Sequence, residues 1–130
     1  METKNLSEST ICCFGDSTTW GDNGCGGGGN DISWTSHLGA LLGGAVVENF
    51  GIKGSRIAIK ADRTDSFVER LDGIDDAADV YVVFGGVNDF SRNVPLGELG
   101  STDVHEFYGA LDYLIRTITA RSPRAKLVFM

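Results

Sequence analysis

Apolar residues along this chain fall into two alternating kinds of run: short continuous stretches, and longer stretches in which they recur three and four apart. The continuous stretches predict strands over Ile11–Phe14, Ala45–Phe50, Asp79–Phe84 and Ala125–Met130. Asp79–Phe84 is apolar without alternation, which predicts a strand covered on both faces. The spaced stretches predict helices. Trp34, Leu38, Leu41 and Leu42 share one helical face between Asp31 and Leu42, with Asn30, Asp31 or Ser33 available as caps and Gly43-Gly44 as the stop. Phe67, Val68 and Leu71 predict a shorter helix over 64–71. Val104, Phe107, Tyr108, Leu111, Leu114, Ile115 and Ile118 keep the helical period longest, with Asp103 and Glu106 spaced as a capping box and Pro123 beyond the end.

Four strands alternating with helices predict one α/β domain over 1–130, a parallel sheet with helices on both faces joined by right-handed crossovers. Ligands of such sheets sit beyond the carboxyl ends of the strands. Three loops follow strands here: the one carrying Ser17, the one carrying Gly54 and the one carrying Asn88. The topology therefore gathers residues far apart in sequence at one edge. The stretch from Asp22 to Asn30 is so rich in glycine that it predicts a mobile loop beside Ser17.

Composition narrows the function. A net charge of −7 argues against a nucleic-acid partner, which clustered Lys and Arg would meet. No apolar run approaches the roughly 20 residues of a membrane span, and the polar stretch Met1–Ser9 lacks the regions of a signal peptide, so a cytoplasmic protein is expected. Cys12 and Cys13 are adjacent in a strand and point to opposite faces, and Cys25 has no ligand-like spacing to either, so reduced thiols and no metal are expected. The glycine cluster lacks the Gly-Lys-Ser/Thr ending of a phosphate cradle.

Chemistry centres on Ser17. A serine hydroxyl is a weak nucleophile that needs an exposed place on a tight strand-to-helix turn, a base, and donors for the developing oxyanion. Gly15 is expected to permit that turn, and the Ser17 N–H is available as a donor. Phe14-Gly15-Asp16-Ser17, Asn49-Phe50-Gly51-Ile52-Lys53-Gly54 and Gly85-Gly86-Val87-Asn88-Asp89 together resemble the first three blocks of the GDSL/SGNH hydrolases, serine esterases and lipases. The resemblance implies a flavodoxin-like three-layer α/β/α sandwich, with Ser17 as nucleophile and oxyanion donor, and with Gly54 N–H and the Asn88 amide completing the hole. It implies a small ester or acylated substrate and no cofactor. Asp16 and Asp89 are read as structural hydrogen-bond acceptors, and Trp20 and Phe90 either as acyl-pocket walls or as packing.

The family's Asp-x-x-His block has no counterpart in this sequence, so the resemblance implies the N-terminal portion of such a domain, with the C-terminal part missing. His37 is read as a helical residue without chemistry and His105 as a surface residue. The expected function is ester hydrolysis in the intact parent, this chain lacking an evident base. The competing readings are a phosphate- or flavin-binding domain and a non-catalytic remnant. Leu127–Met130 is expected to be an edge strand through which the chain self-associates.

Overall fold

In the computed structural model, which describes residues 4–130, the first apolar run becomes an interior strand of a parallel sheet. Strand β1 (Thr10–Gly15) is buried at every position after the first because it has a parallel neighbour on each side. On one side lies β2 (Val46–Gly51), with Gly15 opposite Gly51; on the other lies β3 (Val80–Phe84), with Gly15 opposite Phe84. The sheet order is β2-β1-β3-β4, and β4 (Lys126–Phe129) occupies the edge beside β3. The four observed strands match the expected ones to within one residue at most ends.

Alternation along the strands divides the core in two. Cys12 and Phe14 of β1 join Tyr81 and Val83 of β3 in the larger cluster. Phe67 and Leu71 cover it from helix α3 (Phe67–Arg70) and the 3₁₀ turn that follows, and Ala110, Leu114 and Ile118 from helix α5 (Phe107–Arg121). Ile11, Cys13 and Val82 face the other way, under Trp34, Leu38 and Leu42 from in and around helix α2 (Thr35–Leu41). This is the expected α/β/α arrangement. Two further short helices complete it at the carboxyl edge: α1 (Ser17–Trp20) and α4 (Val87–Ser91).

Several local expectations are corrected. The segment 31–42 is not one helix: Asn30–Ile32 is a 3₁₀ turn, and Ser33 breaks the run by donating its hydroxyl to Thr19 O at 2.6 Å. The segment carrying Asn88, read as a loop, is helical from Val87 to Ser91. Asp103 and Glu106 form no capping box, because Asp103 accepts from His105 N and Glu106 from Ser101 Oγ. Helix α5 therefore starts at Phe107 rather than Val104. The capping box forms instead at α3, where Ser66 Oγ accepts from Glu69 N and Glu69 Oε2 accepts from Ser66 N. The glycine-rich loop is hydrogen-bonded rather than open: Asp22 and Gly28 form an antiparallel bridge, and Asn23 Oδ1 accepts from Cys25 N and Gly27 N. Of the polar N-terminal stretch, Met1–Thr3 lie outside the described residues, and Leu6–Glu8 form a 3₁₀ turn capped by Asn5.

Among the described residues no helix is long and apolar enough to cross a membrane, and no group of His, Cys, Asp or Glu is placed to hold a metal ion. Cys12 and Cys13 are buried free thiols and Cys25 is an exposed one.

The box at α3 caps a helix of a single turn that carries Phe67 into the core. Ser66→Ala is expected to cost about 1 kcal/mol, read as a lower urea midpoint with an unchanged slope. An unshifted midpoint would mean that Phe67 packing alone holds this turn.

Candidate active site

The carboxyl end of β1 passes into α1 without a connecting residue other than Asp16, and that brevity fixes Ser17. Asp16 is the N-cap, its carboxylate accepting from Thr18 N at 3.0 Å. It is 2% exposed, and burial pushes its pKa above the ordinary carboxylate value. Ser17 is the first helical residue, half-buried, and neither its N–H nor its Oγ has a hydrogen-bond partner among the described residues. Gly15 serves the turn through space rather than through backbone freedom: a Cβ there would stand 2.1 Å from Thr19 Oγ1 and 2.5 Å from Thr19 Cβ.

The second loop leaves β2 beside this turn. Ile52 N donates to Gly15 O at 3.1 Å, so the loop begins bonded to the end of β1. Gly54 follows with φ +76°, a left-handed conformation that L side chains rarely adopt. Its N–H has no acceptor among the described residues.

The third loop is joined to the second at two points. Asn88 Nδ2 donates to Ser55 O at 3.0 Å, which spends one of the two amide hydrogens and leaves the other. Asp89, buried, accepts from Ile57 N at 2.8 Å and Ala58 N at 3.0 Å. Burial pushes the Asp89 pKa up, and the two N–H donors pull against it. Asp16 and Asp89 thus both hold backbone in place. The structure brings Asn88 and the Gly54 loop into direct contact, and it sets Ser17 just past the end of β1, the strand between β2 and β3.

Two arginines that the sequence reading passed over hold these loops from behind. Arg70, at the end of α3, donates Nη2 to Gly15 O at 2.7 Å and to Ser55 Oγ at 3.0 Å, Nη1 to Phe50 O at 2.8 Å, and Nε to Asp65 O at 3.0 Å. Its guanidinium carbon lies 4.7 Å from the Phe14 ring centre and 5.0 Å from that of Phe67. Burial draws its pKa down to about 10, so it remains a cation at neutral pH. Arg63 pairs with the Asp65 carboxylate through Nε and Nη2, and Nη2 also donates to Lys53 O at 2.8 Å. The pairing holds the Asp65 carboxyl below its ordinary range. Neither arginine sits in a recognisable motif; the available signal was only that Arg70 falls one residue before the buried Leu71.

Around this arrangement, Lys53 Nζ lies 4.8 Å from the Trp20 ring centre and 3.1 Å from Asp22 Oδ2, tying the first loop to the second. Trp20 is therefore half-buried under Lys53, whereas Phe90 is 86% exposed. His37 is exposed on α2, and His105 is exposed with Nδ1 2.9 Å from Asp103 Oδ1. Among the described residues neither histidine is hydrogen-bonded to Ser17. A hollow of about 340 Å³ lined by Asp76–Asp79 and Ser122–Ala125 lies at the amino ends of β3 and β4, the opposite edge of the sheet.

Comparison with known proteins follows the same lines. A family model described as the GDSL-like lipase/acylhydrolase family matches residues 13–130. A crystal structure 97% identical in sequence covers 98% of this chain with a TM-score of 0.96, and this chain covers 58% of that one. A protein from Lactobacillus plantarum is 32% identical over 95% of this chain and 56% of its own, with a TM-score of 0.77. A protein from Bacteroides ovatus, 21% identical over 94% of this chain and 72% of its own, shares the fold with a TM-score of 0.73. The chain thus spans little more than half the length of the first two. Among curated proteins none matches.

Removing the Arg70 side chain would take a donor from Phe50 O, from Gly15 O, which keeps Ile52 N, and from Asp65 O, which keeps Ser55 Oγ. Arg70→Met is expected to destabilise the fold by about 3 kcal/mol or more, measured by urea unfolding, and Arg70→Lys to recover only part because an ammonium cannot reach all four acceptors. A loss below about 1 kcal/mol for Arg70→Met, ordinary for any substitution, would show that these carbonyls find other donors.

Proposed function

The chain belongs to the GDSL-like lipase/acylhydrolase family, and on that premise we propose that its carboxyl-edge site performs acyl hydrolysis with Ser17 as nucleophile. The observation that carries the reading is a set of unused donors. Ser17 N–H and Gly54 N–H have no acceptor among the described residues, and Asn88 Nδ2 has one hydrogen to spare. They belong to loops leaving three adjacent parallel strands. Buried or half-buried N–H groups are nearly always paired, so an unpaired set at one edge is suited to a ligand that carries negative charge.

In this reading Ser17 Oγ attacks the carbonyl carbon of a small ester, and the carbonyl oxygen takes up negative charge as the tetrahedral intermediate forms. Ser17 N–H, Gly54 N–H and the Asn88 amide receive that oxygen. Such donors favour the transition state over the ground state because the charge they answer exists only there. Collapse of the intermediate breaks the ester C–O bond and releases the alcohol. Water then attacks the acyl-serine at the same carbon, and the acid departs. No cofactor enters these steps.

The proton leaving Ser17 Oγ requires a base that then passes it to the departing alkoxide. Among the described residues neither His37 nor His105 is hydrogen-bonded to Ser17, so we propose that the intact parent supplies the base. The reading rests on the separation of His37 and His105 from the Ser17 hydrogen-bond network and on the 58% and 56% of their lengths that the two relatives share with this chain. Trp20, capped by Lys53, and exposed Phe90 flank the loops and are proposed as the apolar walls that meet the substrate.

A fluorophosphonate is expected to label Ser17 slowly in this chain, and Ser17→Ala to abolish labelling; labelling that survives the substitution would remove the nucleophile assignment. Rapid stoichiometric labelling of this chain would make His105 or His37 the base. In a chain extended to the length of the 97% identical relative, Asn88→Ala is expected to lower kcat about 10²- to 10³-fold with little change in KM. A change confined to KM would assign Asn88 to ground-state binding.

A further inference from the structure

The peptide group that joins Lys53 to Gly54 is held at one end and free at the other. Its carbonyl oxygen, Lys53 O, accepts from Arg63 Nη2 at 2.8 Å. Its N–H, that of Gly54, has no acceptor among the described residues. In a planar trans peptide these two groups point to opposite sides, so whatever fixes the carbonyl also fixes the direction of the N–H.

We propose that Arg63 is a positioning residue for acyl hydrolysis, anchoring the Lys53 carbonyl from behind so that the Gly54 N–H is aimed and polarised as an oxyanion donor. This rests on the assignment of Gly54 as a donor made above. Arg63 itself touches no substrate.

Three features support the role. The guanidinium packs directly on the back of the turn: a Cβ at position 54 would stand 2.4 Å from Arg63 Nη1 and 3.2 Å from Cζ. Glycine is favoured at 54 by its φ of +76°, and a side chain there would also push the arginine's end away from the turn. The arginine is in turn immobilised, its Nε donating to Asp65 Oδ1 at 2.9 Å and its Nη2 pairing with Asp65 Oδ2. Asp65 does not float, since its backbone oxygen accepts from Ser55 Oγ at 2.6 Å and from Arg70 Nε at 3.0 Å. The Gly54 peptide is thus connected through Arg63 and Asp65 to the same arginine that holds the end of β1. A hydrogen bond from an ionised donor polarises the peptide it meets, and a polarised peptide has a stronger N–H. The Asp65 carboxylate balances the charge, so Arg63 acts on the peptide and not as a free cation in the site.

The Gly54 amide proton reports on this directly. The chain is labelled with ¹⁵N-glycine and phosphonylated at Ser17 with a fluorophosphonate, which releases fluoride and places a strongly polarised phosphoryl oxygen where the oxyanion forms. In the wild type the Gly54 amide proton is expected to move downfield on phosphonylation. In Arg63→Met that displacement is expected to shrink by about half or more, since a charge-assisted bond is roughly twice as strong as a neutral one. Arg63→Lys, which keeps a cation but cannot serve Asp65 and Lys53 O together, is expected to fall between them. It also carries the test if Arg63→Met does not fold. Undiminished displacement in both variants, with the glycine resonances of the sheet unmoved, would overturn the role of Arg63. Absence of any displacement in the wild type would instead overturn the assignment of Gly54 as a donor, and the two failures are told apart by that one spectrum.

Discussion

A single half-buried guanidinium, that of Arg70, braces the carboxyl edge of this sheet. Parallel strands end with carbonyls that the ladder no longer satisfies, and a buried carbonyl without a donor is costly. Arg70 adds a charged donor at the ends of β1 and β2 together, reaching Phe50 O and also Gly15 O, which accepts from Ile52 N as well, and it extends the same hand to Ser55 Oγ and Asp65 O in the loop beyond. The aromatic faces of Phe14 and Phe67 make the desolvated cation tolerable, and nearby Asp65 and Asp16 favour its charge. Short loops on strand ends would otherwise be the least constrained part of an α/β domain. Here they are tied to a residue of the core.

From that anchor outward the site is assembled by backbone more than by side chains. Asp16 closes the turn that presents Ser17, and Asp89 binds the third loop to the second through Ile57 and Ala58 N–H. Both carboxyls are buried, and burial opposes their charge; each is retained because it gathers backbone donors that nothing else would satisfy. Asn88 does two jobs with one amide, giving one hydrogen to Ser55 O and keeping one unspent.

The strands and their parallel order were legible because a strand buried on both faces needs an uninterrupted apolar run, and β1 and β3 carry such runs. The three loops were legible because each is punctuated by glycine at a strand end. What was illegible depends on partners far away in sequence. Arg70 reads as the polar face of a short amphipathic helix, and only the sheet ends above it turn it inward. Asn5-Glu8, Ser66-Glu69 and Asp103-Glu106 carry the capping-box pattern of a short polar residue followed three positions later by Glu; Ser66-Glu69 forms a box where Phe67 and Leu71 are pulled into the core. Asp103-Glu106 does not, because His105 and Ser101 claim the two carboxylates first. The glycine-rich loop reads as mobile from composition, and the side chain of Asn23 organises it.

That Gly54 turns on a left-handed φ against a guanidinium has an evolutionary side. In the proposed role the Gly54 donor is a main-chain N–H, which only proline at that position would delete, although any other side chain there would meet the left-handed φ and the Arg63 guanidinium. What drift can spoil is its aim. On the proposal made above, the site can therefore be lost from behind, through Arg63 or Asp65 at positions that meet no substrate, as well as through the motif residues themselves.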